Sequence, residues 1–371
     1  MKIFRYSLYS LLLITFIFLG LGKNFSETRL DKNFLDKTTD NAFGFQRNPD
    51  FTIKHRMEIN RSITISFAGD CTLGTDKNFG YYGTLPAVLD VNSVDKNYLF
   101  KNVQAIFGKD DITVVNLEGT FTSATRSQDK LYNFKGPKRY AEFLKNGSVE
   151  YVNLSNNHSY DYFQVGFDDT KAALAYYGVG KFCDDSATVA TANKINIGLL
   201  GYYGFSKDQG LLRQMRSDIT NLRAGNCNLV VVSFHWGVEQ SYLPNSTQIF
   251  LAHYAIDHGA DLVVGHHPHV LQGAEIYKKK AIFYSLGNFA FGGNNNPRDK
   301  DTIILQLKYE QNTIGYQLRI IPCSISSRAD VNNYQPTPLH GSEAKRVIGK
   351  FNNLSRTSDF NVSTDFKLVG L

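Results

Sequence analysis

Ser62 to Ala68 alternates Ile63, Ile65 and Phe67 with small polar residues, and this period of two predicts a strand with one apolar face. The run stops at Gly69-Asp70. Later apolar runs repeat the scheme, each closing on polar residues. Ile112 to Val115 ends in Asn116-Leu117-Glu118-Gly119, and Val149 to Leu154 ends in Ser155-Asn156-Asn157-His158. Ile195 to Leu200 ends in Gly201-Tyr202-Tyr203, and Leu229 to Phe234 in His235-Trp236-Gly237. Leu262 to Val264 is broken by Gly265 and followed by His266, His267 and His269; Ala281 to Tyr284 ends in Ser285-Leu286-Gly287-Asn288. Helical patterns lie between these runs, at roughly 139–146, 165–177, 211–224 and 247–258. Strands alternating with helices predict an α/β fold. Ile303 to Lys308 and Ile314 to Ile321 read as a closing hairpin around Gln311-Asn312. The chain beyond Pro322 is polar, with one candidate helix from Ser342 to Leu354.

The N-terminal pattern differs. Lys2 and Arg5 precede an apolar run from about Leu8 to Leu21, which predicts a signal peptide or N-terminal anchor over residues 1–22. A buried core helix is excluded, because the run has no polar face. The remainder is then expected outside the cytoplasm, anchored by this segment or secreted after cleavage. Residues 23–61 hold no period and read as a polar linker. The expected organisation is therefore leader, linker, a folded domain over 62–325 and a tail with one helix over 326–371.

Composition changes the picture little. The 371 residues are 42% hydrophobic and carry a formal charge of +6, with no dense basic block. That balance is compatible with an anionic partner at a surface and is weak as evidence for nucleic acid, which is not expected as a partner. Cys71, Cys183, Cys227 and Cys323 form no CxxC, so no zinc ribbon or disulfide framework is implied. A Cys183–Cys227 bridge is one option in an oxidising compartment.

The chemistry lies in the strand ends. In α/β sheets ligands bind beyond the carboxyl ends of the strands. Here five strands end in a carboxylate, amide or imidazole: Asp70, Glu118, Asn157 with His158, His235, and His267 with His269. Taken singly, each is the polar loop that ordinarily follows a strand. Together they form an oxygen and imidazole set that suits Mn, Fe or Zn, and it is large enough for two divalent ions. Other residues have plainer readings. Trp236 is expected to pack as a wall, His253 and His258 to sit on a helix surface, and Lys135 and Lys138 to be solvated unless an anion binds there. Asp161 either orients His158 or caps a helix. Glu239 either supports His235 or faces water.

The motifs G-D-C-T-L-G from Gly69, N-L-E-G from Asn116, S-N-N-H-x-x-D-Y from Ser155, H-W-G-x-E from His235, G-H-H-P-H-V-L-Q from Gly265 and Y-S-L-G-N-F from Tyr284 resemble the CapA family. That family is named for poly-γ-glutamate capsule synthesis and belongs to the metallophosphoesterase, or calcineurin-like, superfamily. The resemblance runs from about Ile63 to Gly292. It implies a four-layer α/β/β/α sandwich with the site at the strand ends. It also implies Asp70, Glu118, Asn157, His235, His267 and His269 as ligands of two divalent ions, with Glu118 between them. His158 would protonate a leaving oxygen. Beside what the resemblance implies, Asn156 and His266 are candidates for facing the substrate, and Asn288 either donates its amide to a substrate oxygen or is a turn residue after Gly287. One departure stands out: the superfamily's first strand usually carries Asp-x-His, whereas this chain has Asp70-Cys71-Thr72. Cys71 could replace the imidazole only as a thiolate. The implied function is a metal-dependent, phosphoesterase-like hydrolase acting on an anionic envelope polymer or its precursor, poly-γ-glutamate or phosphate-containing. Its expected partners are the membrane proteins of capsule synthesis. The alternative is a non-catalytic subunit that binds or exports the polymer.

Overall fold

The computed structural model describes residues 61–91, 95–355 and 361–370. The leader and, apart from Arg61, the linker lie outside the described residues. Two sheets carry the fold. The larger has the order Thr337–Pro338, Tyr316–Ser324, Asp301–Glu310, Ser62–Thr72, Ile112–Leu117, Tyr151–Asn153, Gly180–Phe182. The smaller has the order Leu271–Tyr277, Lys280–Leu286, Leu262–His266, Leu229–His235, Ile195–Tyr203, Thr188–Ala192.

Successive side chains of each central strand divide between two cores. Val114, Val231 and Val264 face a core shared by the sheets, together with Ile63, Ile65, Ile197 and Leu305. Their neighbours turn outward. Val115 and Leu117 meet Leu144, Phe167 and Leu174 of the helices Ala141–Asn146 and Phe163–Tyr177. Val230, Val232 and Val263 meet Met215, Ile219, Leu251 and Ala255 of the helices Gln209–Ala224 and Ser246–Asp257. Both faces of these strands are covered, so the runs read as continuously apolar. The result is the expected α/β/β/α layering. The outer helices of the smaller sheet begin about where the pattern put them, because side chains satisfy their first amides. Asp208 accepts from Gly210 N at 2.7 Å, and Asn245 with Gln248 forms a capping box.

Two local features place the strand ends. The first is a bulge at Gly69. Ala68 pairs with Val115 and Asp70 with Asn116, so the larger sheet's central strand carries one residue more than its neighbour. Ala68 and Cys71 therefore both face the helices. Asp70 is turned to the side of Phe67, toward the second sheet. The second is a crossover at Gly287. The chain leaves Lys280–Leu286 in the smaller sheet and enters Asn288–Phe291, which pairs parallel with Ser62–Thr72 in the larger. Gly287 has φ +74°. Asp70 N donates to Gly287 O at 3.0 Å, and a Cβ on Gly69 would stand 2.0 Å from that oxygen. The sequence pattern read Gly287-Asn288 as a polar end and missed this strand.

The polar C-terminal stretch is integrated into the fold. Thr337–Pro338 and Lys367–Val369 both pair with Tyr316–Ser324. The helix Gly341–Leu354 packs on Leu271–Tyr277 and sends Val347 and Phe351 into the inter-sheet core. Arg346 clamps Asp301 through two bonds of 2.7 and 2.8 Å, and Lys350 reaches Asp301 at 2.8 Å and Asp299 at 2.7 Å.

Two outcomes follow. Phe351→Ala removes a fully buried ring and is expected to cost about 3–5 kcal/mol in urea unfolding. Burial alone would raise the Asp301 carboxyl, but the bonds from Arg346 and Lys350 outweigh it and hold the group below its usual range. A depressed folded value gives stability that is present above the unfolded value, about 3.9, and is lost as pH falls through the folded one. Arg346 is half exposed, so Arg346→Met is expected to cost only about 0.5–1 kcal/mol at pH 7. Its difference from the wild type should shrink in unfolding curves as pH falls below about 3.9 and vanish once Asp301 is protonated in the folded chain as well.

Candidate metal centre

Asp70, Glu118, His235 and His267 are buried and His269 nearly so, all at one end of the paired sheets. Asp70 Oδ2 lies 3.3 Å from His269 Nδ1 and accepts from His267 N at 3.2 Å. Its Oδ1 accepts from Asn116 Nδ2 at 2.8 Å and lies 3.4 Å from His266 Nδ1. Glu118 points into the middle. Its Oε1 is 3.6 Å from His235 Nε2 and 3.9 Å from both His158 Nε2 and His269 Nε2. Asn157 Oδ1 stands 2.7 Å from His235 Nε2. The H-H-P-H turn is strained: His267 and His269 have φ of +95° and +58°, uncommon for residues other than glycine. Held in this way, the two rings lie 5.7 Å apart, with His235 4.7 Å from His267.

Electrostatics separates these groups. Burial pushes Glu118 up to about 8, partly opposed by the charge of His269. Asp70 is also desolvated, yet bonds from His266 and His269 hold it well below the carboxylate range. Burial and the neighbouring His267 drive His235 well down; burial and His269 take His267 to about 3. For His269, burial is outweighed by Glu118 and Asp70, and the ring rises to about 9. His235 and His267 are thus neutral; His267 Nδ1 has no partner, whereas His235 donates from Nε2 to Asn157 Oδ1 and faces Asn116 Nδ2 with Nδ1.

Neither oxygen of Glu118 has a hydrogen-bond partner, and neither has His267 Nδ1. A buried carboxylate in that condition costs several kcal/mol. A cation among these groups would remove the cost, and the donors form three overlapping sets: Glu118, His235 and His267; Asp70, Glu118 and His269; Glu239, His267 and His269. Within each set the donor atoms lie within 4.8 Å of one another. The residues therefore fit one or more divalent ions.

The remaining candidates divide. His158 Nδ1 donates to Asp161 Oδ2 at 2.8 Å, leaving Nε2 toward Glu118. Asp161 Oδ2 also accepts from Phe134 N at 2.5 Å, and its Oδ1 is ion-paired with Lys130 Nζ at 2.5 Å. It orients His158 and does not cap the helix that begins at Phe163, whose N-cap Tyr162 makes no side-chain bond. Asn288 is joined to His269 at both ends of its amide, Oδ1 to Nδ1 at 2.9 Å and Nδ2 to the carbonyl at 3.1 Å, while still lining the cleft. Asn156 lies beneath the site, its amide bonded to Asn116 and Leu117 and its oxygen to His158 N and Ser159. His266 ends its strand beside Asp70 and belongs to none of the donor sets. Cys71 faces the helices and joins none of the donor sets, so it does not replace the missing imidazole; burial pushes its thiol up to about 12. All four cysteines are free and buried. Trp236 stacks on Phe234 at 4.4 Å as a wall. Lys138 pairs with Asp169, and Lys135 bonds the Ala124 carbonyl. His253 binds Glu275 and His258 the Tyr254 carbonyl.

Two residues escaped the sequence reading. Asn116 is the hub beneath the centre: its Nδ2 meets Asp70 and, at 3.3 Å, His235 Nδ1, while its oxygen accepts from Asn153 and Asn156. It sits in the quoted N-L-E-G motif, so its position at a strand end was the available signal. Lys130 bonds the Asn157 carbonyl at 2.7 Å and stands 3.4 Å from His158 Nδ1. It comes from a loop with no period and carried no signal. Above them opens a cleft of about 480 Å³ walled by Phe79, Tyr132, Phe134 and Phe291 and floored by His158 and His269.

Comparison with known proteins agrees with this architecture. The profile of the bacterial capsule synthesis protein PGA_cap family matches residues 64–293. The chain is 29% identical over 301 residues to a capsule biosynthesis protein CapA of Bacillus anthracis, covering 74% of this chain and 69% of the relative. It is 28% identical over 305 residues to the PGA biosynthesis protein CapA of Bacillus subtilis (strain 168), covering 76% of each. A probable polyglutamine synthesis accessory protein of Mycobacterium tuberculosis is 27% identical over 210 residues, covering 48% of this chain and 55% of that one. With more than half of its length matched by the profile, the chain belongs to the bacterial capsule synthesis protein PGA_cap family, within the metallophosphoesterase-like superfamily.

Proposed function

We propose that this chain is a metal-dependent hydrolase of phosphoester type, working outside the cytoplasm on an anionic capsule polymer or its precursor. The observation that carries the reading is Glu118: a fully buried carboxylate, unbonded, facing three imidazoles at 3.6–3.9 Å. Asp70, Glu118, Asn157, His235, His267 and His269 would hold one or two divalent ions of the Mn, Fe or Zn class. Bound there, such ions supply Lewis acidity toward a phosphoryl oxygen.

The chain's own residues do the rest. Asp161 fixes the ring of His158, and that ring presents Nε2 to the floor of the cleft, in position to hand a proton to a leaving oxygen. Burial lowers the pKa of His158 against the bond and charge of Asp161, which raise it, and the Lys130 ammonium adds to the lowering. An anionic substrate placed over the ring offsets both. Asn288 holds the orientation of His269, and Asn116 that of Asp70 and His235. Phe79, Tyr132 and Phe134 narrow access to water on one side.

The polymer could be poly-γ-glutamate, as the names of the Bacillus relatives suggest, or a phosphate-containing one. The membrane proteins of capsule synthesis are the proposed neighbours. Among the described residues no helix is long and apolar enough to cross a membrane, so attachment would fall to the leader. One observation favours a second reading, a polymer-binding subunit without turnover: Thr72 offers no imidazole on the first strand, and its hydroxyl is buried without a partner.

Two experiments separate these readings. Elemental analysis of the purified chain should find Mn, Fe or Zn at up to two per chain, and chelation should lower the melting temperature. A preparation free of metal that takes up none on dialysis defeats the hydrolase proposal. With metal present, the protein should hydrolyse a generic phosphodiester. His158→Ala should lower kcat by about 10²–10⁴ with metal content unchanged. Metal loss in that variant contradicts the role given to His158, and a metal-loaded wild type without turnover selects the binding subunit.

A further inference from the structure

Glu239 lies on the loop that follows the strand Leu229–His235. The backbone pins this loop to the H-H-P-H turn on both sides of Glu239. Trp236 N donates to His266 O at 3.1 Å, and Gln240 N donates to Pro268 O at 2.8 Å. Gly237 at φ +86° and Gln240 at φ +60° make the tight path between these bonds. The carboxylate stands on the wall of the cleft, exposed, and makes no hydrogen bond or ion pair among the described residues. An exposed, unpaired Glu is ordinarily solvated. Here, however, one of its oxygens, a nitrogen of His267 and a nitrogen of His269 lie within 4.8 Å of one another. His267 is 93% buried, and its Nδ1 has no partner.

We propose that Glu239 is a metal ligand, closing from the cleft side an ion position shared with His267 and His269. This rests on the metal-centre reading above and goes beyond the six ligands assigned there. Charge supports it. Asp70 and Glu118 bring two negative charges to a centre that would hold up to four positive ones, and Glu239 brings a third. Chemically, a carboxylate with two imidazoles suits Zn, Mn or Fe. The position also makes Glu239 the most exposed ligand of its set, on the cleft wall where an anionic substrate would arrive.

The test is calorimetric titration of the metal-stripped full chain with Zn²⁺ and, separately, Mn²⁺, comparing the wild type, Glu239→Gln and Glu239→Asp. The side chain is exposed and unpaired, so the metal-free melting curve of Glu239→Gln should overlay that of the wild type. The expected result is a loss of affinity for one ion of about 10–100-fold in Glu239→Gln, with partial recovery in Glu239→Asp. Unchanged binding in Glu239→Gln overturns the inference and leaves the metal reading standing. A wild type that takes up neither ion overturns both.

Discussion

The joint between Gly69-Asp70 and Gly287 is the constraint on which the rest depends. At this point the chain passes from one sheet to the other, and a single backbone bond of 3.0 Å from Asp70 N to Gly287 O ties them. The bond forms only because position 69 has no side chain: a Cβ there would stand 2.0 Å from the accepting oxygen. The bulge at the same glycine turns Asp70 away from the helices and toward the second sheet. Were Gly69 paired in regular alternation instead of bulged out, Asp70 would share the face of Ala68 and point into the core around Phe107 and Leu144. One glycine thus sets both the spacing of the sheets at this end and the direction of the first acidic group.

Packing then explains why ionisable side chains gather where they do. Away from this end the three apolar layers are closed, and the strands carry Val, Ile and Leu on both faces. At their carboxyl ends polar groups replace the apolar layers, and the strained H-H-P-H turn is held by Asp70, Asn288 and the clamped loop after His235. The strain in His267 and His269 costs of order 1–3 kcal/mol each and persists because the surroundings leave no alternative. The large cores below can bear such a cost, and a surface turn could not.

Much of this was legible in the residues. The alternation of Ile63, Ile65 and Phe67, and the apolar runs ending in Glu118, Asn157, His235 and His267, show the strands and the gathering of their ends. Asp161 supports His158, one of two roles open to it. What stayed hidden was not written in periodicity. The bulge at Gly69 leaves no mark in a hydrophobic pattern, because glycine fits either face. The strand Asn288–Phe291 is four residues long and follows a turn, so it looked like a loop. Lys130 reaches the centre across 28 residues of sequence from a loop without pattern. The C-terminal helix seemed peripheral because only Val347 and Phe351 of its residues are fully buried.

Spacing gives the strongest argument for a cation over a neutral network. A protonated Glu118, with its pKa pushed to about 8, could in principle donate to a neighbouring imidazole and satisfy itself. Its nearest nitrogens stand at 3.6–3.9 Å, outside the range of about 2.5–3.2 Å in which such bonds form. Elsewhere around the centre the polar groups are close enough to bond: Asn116 to Asp70 at 2.8 Å, Asn288 to His269 at 2.9 Å, His158 to Asp161 at 2.8 Å. Asn157 and His235, both candidate ligands, also meet directly at 2.7 Å, so the open spacing is that around Glu118 alone. A carboxylate set too far from its imidazoles for direct bonding suits a cation held between them, whose bonds to such donors run to about 2.0–2.2 Å.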